Sequence, residues 1–124
     1  MISYKEVLNI HDILTSQFGA EPGIRDKDVL QRAVVRPQLS LDGLPQFPSA
    51  IDKAASILET IVSEKPFVEG NKLTGYTLMK LYLMEVDWKL TASEEDILTL
   101  IDAVSESKLS FDQIKNWIAD HVEE

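Results

Sequence analysis

Apolar residues recur along this chain at intervals of three and four, the spacing of one helix face. Ser3, with Glu6 three residues later, has the spacing of a capping box. Val7, Leu8, Ile10, Leu14 and Phe18 then form an apolar stripe as far as Gly19, which predicts a first helix. Pro22-Gly23 marks a turn within residues 20–24. A second helix is expected from Asp26 or Lys27 to Val35, turning Val29, Leu30, Ala33 and Val34 inward. Pro37 should end it by disfavouring helical geometry at Arg36. Residues 37–48 carry Pro37, Gly43, Pro45 and Pro48 and predict an ordered or semi-ordered loop.

Ser49 is placed to cap a third helix bearing Ile51, Ala54, Ala55, Ile57, Leu58, Ile61 and Val62. These residues cover much of its circumference, which puts it in the core. Pro66 stops it. A fourth helix, about Asn71 to Val86, carries Tyr76, Leu78, Met79, Leu81, Tyr82, Leu83 and Met84 and is equally central. Trp88 to Thr91 predicts a short extended link or turn. Ser93 with Asp96 opens a fifth helix through Ile97, Leu98, Leu100, Ile101 and Val104. Ser110 with Gln113 opens a sixth, with Phe111, Ile114, Trp117 and Ile118 on its apolar side. No alternating pattern of useful length appears. The fold class is all-α: a compact bundle of about six helices in one domain over residues 1–124.

Composition narrows the function classes. A chain of 124 residues buries roughly 65% of its unfolded surface on folding, enough to need no staple. The absence of cysteine excludes disulfides, thiolate zinc sites and cysteine catalysis, and it suits a cytoplasmic setting. A formal net charge of −9 opposes binding to nucleic acid or to an anionic membrane. No stretch has the pattern of a signal peptide or membrane span. The acidic residues gather toward the end of the sequence, from Glu94 to Glu124, and read as a solvated surface or a face for a basic protein.

The candidate chemistry lies in Lys65-Pro66-Phe67-Val68-Glu69-Gly70-Asn71-Lys72-Leu73-Thr74, a proline-broken loop opening the fourth helix. The first backbone N–H groups of a helix have no partner within it, so this junction can bind an anion. Gly70 would let the backbone approach a phosphate, Lys72 would add positive charge, and Glu69 could hold a divalent cation bridging that phosphate. Asn71 could instead cap the helix, and Phe67 is most simply an anchor for the loop.

This segment resembles the active-site motif of the Fic/Doc family, His-Pro-Phe-x-(Asp/Glu)-Gly-Asn-(Lys/Gly)-Arg. The resemblance extends to Ile10-His11-Asp12, to Gly23-Ile24-Arg25-Asp26 with Leu30, and to Arg36-Pro37-Gln38, as in the Doc-like (death-on-curing) branch. It implies a bacterial toxin–antitoxin transferase that moves a nucleoside monophosphate (AMPylation) or the terminal phosphate of ATP onto a protein hydroxyl. For the Doc branch that substrate is the translation factor elongation factor Tu. By matching position, Glu69 would hold Mg²⁺; Gly70, Asn71 and Lys72 would cradle the phosphates of ATP or another nucleotide; and Phe67 would brace the loop. A separate antitoxin is the implied partner.

Two positions depart from the motif. The histidine that serves the family as general base is Lys65, and the arginine is Leu73. A general base works best with a pKa near the working pH, whereas free lysine sits at about 10.4. Losing a general base costs roughly 10²–10⁴-fold in rate. Leu73 offers no forked cation to developing phosphate charge. His11 belongs to the first-helix pattern and His121 lies near the last residue, so neither is placed to substitute. The expectation is reduced or lost transfer. The alternative is a non-catalytic module on the same fold that binds a nucleotide or a protein.

Overall fold

The computed structural model describes residues 1–124. It has six α-helices: α1 Tyr4–Phe18, α2 Lys27–Val35, α3 Ala50–Glu64, α4 Asn71–Met84, α5 Glu94–Ser105 and α6 Phe111–Asp120. Five of their starts are fixed by side chains that accept from an orphan backbone N–H. Ser3, Ser49 and Ser110 each complete a capping box, with Glu6, Asp52 and Gln113 bonding back to the cap backbone. Asp26 accepts from Val29 N and Ser93 from Asp96 N.

The core forms around α3, where Ala54, Ala55, Ile57, Leu58, Ile61 and Val62 are fully buried. Each large aliphatic side chain removed from water in this way contributes about 1.5–3 kcal/mol. Helix α4 packs along α3 with Leu78, Met79, Tyr82 and Leu83 buried. Gly75 makes the close approach possible, because a Cβ there would lie 2.5 Å from Val62 Cγ2. Leu30, Ala33 and Val34 of α2, Leu100, Ile101 and Val104 of α5, and Ile114 and Ile118 of α6 close the remaining sides. The buried Tyr82 hydroxyl accepts from Gln38 Nε2 at 2.7 Å and from Ile2 N at 3.4 Å, tying three segments together.

Several details depart from the sequence reading and others sharpen it. Helix α1 buries Val7, His11 and Thr15, whereas Phe18 is 65% exposed and Ile13 63%. Val7 of the predicted stripe is buried and Leu8 and Ile10 pack against the core, but Phe18 at its end turns to solvent. Arg36 keeps α-helical geometry (φ −49°, ψ −46°) before Pro37, and the chain tightens into a 3₁₀ turn, Arg36–Gln38, instead of leaving the helix there. The following loop is ordered by a small hairpin pairing β1 Ser40–Leu41 with β2 Leu44–Pro45. Its Asp42-Gly43 turn has positive φ at both residues (51° and 79°), the backbone that suits strand twist. The link after α4 is β3, Lys89–Leu90, which pairs antiparallel with β4, Val122–Glu123.

Candidate functional site

The loop between α3 and α4 is held as a second wall against residues 23–26. Pro66 O accepts from Arg25 N at 2.7 Å and Asp26 N at 2.9 Å, and Val68 N donates to Gly23 O at 3.0 Å. Phe67 faces Ile24 across an isolated antiparallel bridge. Arg25 binds the carbonyls that α3 leaves unpaired, through Nε to Lys65 O (2.6 Å) and Nη2 to Glu64 O (2.5 Å). Arg32 grips the Glu64 carboxylate with both Nη atoms, and this fork holds the Glu64 carboxyl below its ordinary range.

Phe67 is 1% exposed and stacks on the buried His11 ring, with centroids 3.6 Å apart and planes 7° from parallel. His11 Nε2 lies 2.8 Å from Glu69 O; since a carbonyl only accepts, that nitrogen carries the proton. Gly70 turns the chain into α4 with φ +84°, a conformation that penalises any Cβ. Asn71 closes the loop from the other end: Oδ1 accepts from Phe67 N and Nδ2 donates to Phe67 O, both at 3.0 Å. The cap residue of α4 is thus Gly70, not Asn71, whose amide is committed to the loop backbone.

The charged positions diverge. Glu69 is exposed, and its Oε1 accepts from Glu21 N at 2.6 Å. Lys72 leans across to α5 and pairs with Asp102 at 3.0 Å, an exposed ion pair of small energy. Lys65 sits in the left-handed region (φ 52°) after α3, and its Nζ donates to Ser105 O at 3.1 Å, near the end of α5. Both motif lysines therefore reach the same neighbouring helix. Leu73 lines a cavity of about 510 Å³ between α4 and α5, with Lys72, Tyr76, Ile97, Ile101 and Asp102 around it.

Of the six α-helices, α4 alone begins without a side-chain cap. Its first amides are the orphan donors that an anion can satisfy. Thr74, one turn in, is fully buried and its hydroxyl finds no partner. No three His, Asp or Glu side chains converge to hold a metal unaided. A single carboxylate such as Glu69 still suits Mg²⁺, which keeps waters and takes phosphate oxygens as its other ligands.

Sequence reasoning did not find the contacts of His11, Arg25, Asp102 and Ser105 with this loop and its lysines. The first two lie in segments that carried a pattern, yet no periodicity reveals that Arg25 reaches across 40 residues to Lys65 O. The two α5 contacts left no local signal.

Residues 1–83 match the sequence profile described as the Fic/DOC family. The chain belongs to the Fic/DOC family. It is also 36% identical over 81 residues to a protein named Toxin Doc from Mycolicibacterium smegmatis. That alignment covers 63% of this chain and 62% of the relative, so less than two thirds of the relative's length is spanned. No helix is long and apolar enough to cross a membrane.

Proposed function

We propose that this chain is a Doc-like toxin-type protein whose α4 N-terminus receives the phosphates of a nucleotide, with transfer to a protein hydroxyl reduced or lost. The observation that carries the reading is the uncapped start of α4, turned by Gly70 and flanked by Lys72 and Glu69. In this reading Gly70 lets phosphate approach the free amides, Lys72 leaves Asp102 to meet it, and Glu69 holds Mg²⁺. The bound Mg²⁺ would screen phosphate charge. Asn71 acts indirectly, by fixing the Phe67 backbone and so the loop.

The weak point is the chemical step. Lys65 stands where a base would abstract the hydroxyl proton, and its amine is drawn toward Ser105 O. Leu73 lines the cavity between α4 and α5 and brings no cation. Binding should therefore outlast catalysis. The toxin name of the relative supports a separate antitoxin as partner and a protein such as a translation factor as substrate. A non-catalytic nucleotide- or protein-binding module is the second reading, favoured by the same two residues.

Calorimetric titration with ATP, with and without Mg²⁺, tests the site. Lys72→Met is the informative variant, because Asn71→Ala would also loosen the loop. Mg²⁺-dependent binding that weakens about tenfold in Lys72→Met is expected, the loss of one charge-assisted contact. No heat up to millimolar ATP would overturn the nucleotide reading. Lys65→His with Leu73→Arg should then raise transfer activity above that of the parent, measured by labelled phosphate or nucleotide on protein.

A further inference from the structure

A second cavity, of about 430 Å³, lies between α4, β3 and the start of α5 and shares Tyr76 and Ile97 with the Leu73 cavity. Tyr76, Met84, Trp88 and Ile97 contribute its apolar walls, and Lys80 and Lys89 its cations. No aspartate or glutamate lines it, although the chain holds 21 acidic residues against 12 lysines and arginines. Lys80 and Lys89 make no ion pair. Lys80 instead stands over the Tyr76 ring, 5.2 Å from its centroid, and Glu123, which faces Lys89 across the β3–β4 ladder, does not bond it.

We infer that this cavity is a binding site for a small aromatic carboxylate. The volume lies within the range of small-molecule sites, which are mostly apolar with a few placed polar groups. Tyr76, Trp88 and Ile97 offer apolar contact to an aromatic body. Lys80 supplies a compact cation at the edge of that surface, free of any carboxylate of the chain. The pairing is electrostatically selective: a protein of net charge −9 repels anions generally, so an acid is held only where the local sign is reversed.

Naphthoate is a suitable probe, titrated into the full chain by calorimetry beside the uncharged naphthylmethanol. Saturable naphthoate binding is expected, about tenfold weaker for the alcohol and in Lys80→Met, the loss of one charge-assisted contact. Met84→Glu adds a repelling charge at a side chain 59% exposed, so it should weaken binding without disturbing the core. Lys72→Met should leave the affinity unchanged. Non-saturating heats, equal affinity for acid and alcohol, or full affinity in Lys80→Met would overturn the assignment. A loss in Lys72→Met would overturn it too, by placing the acid at the α4 N-terminus.

Discussion

Asn71 spends both ends of its amide on one residue, Phe67, and so decides the shape of the loop from inside the motif. Asn71→Ala should cost about 2 kcal/mol, two neutral hydrogen bonds, in urea unfolding. The Phe67 amide should exchange with solvent faster in the same variant. His11 supports the loop from α1 through a ring stack and one bond to Glu69 O. Lys65 is the strained member, a residue with a Cβ in the left-handed region at the end of α3. Lys65→Gly should therefore be stabilising by up to ~1 kcal/mol, less whatever its bond to Ser105 O contributes, and thermal unfolding would read the balance.

At the scale of elements, the contact between α3 and α4 sets the position of everything in the motif. Gly75→Ala should destabilise by about 1–3 kcal/mol, because the added methyl meets Val62 rather than a cavity. Combining it with Val62→Ala should recover part of that loss, a coupling that unfolding of the double variant measures. Helix α5 is joined to the motif by Lys72–Asp102 and by Lys65 to Ser105 O. Asp102→Asn should change stability by no more than ~0.5 kcal/mol, since the pair is exposed. The same change should raise ATP affinity roughly two- to fivefold if Lys72 must leave Asp102 to meet phosphate.

Across the whole molecule, a buried carboxylate should add to the acid sensitivity that the exposed Arg32–Glu64 fork already gives. Asp52 closes the cap of α3 and also pairs with Lys115 of α6 at 2.8 Å, with its side chain only 7% exposed. Burial alone would raise its pKa, but the hydrogen bonds from Lys115 and Ser49 outweigh it and hold the carboxyl below its ordinary value. A lowered folded pKa means that this stabilisation is complete above the ordinary aspartate value of ~4. It drains away as pH falls below that value and through the folded one. Asp52→Asn should thus lower stability at neutral pH and flatten the acid limb of the stability–pH curve, measured by urea unfolding across the range. The acidic residues from Glu94 to Glu124 that the sequence singled out are all exposed.

The helices were legible in the chain, because serine and aspartate caps, apolar periodicity and proline breaks are local and act within one or two turns. The sequence also showed where the motif loop lies and that Lys65 and Leu73 depart from the family pattern. It placed Val7, Leu8 and Ile10 of α1 correctly but not Phe18, which has the spacing of a core residue while His11 and Thr15 have the burial. Packing settled where each side chain at the site goes: Asn71 back to the loop, Lys72 and Lys65 to α5, Arg25 across to the end of α3. Those partners lie 30 to 40 residues away except for Asn71, and composition carries no record of such distances. Side-chain destinations are fixed by which orphan carbonyl or carboxylate packing brings within reach, and that is a property of the folded chain.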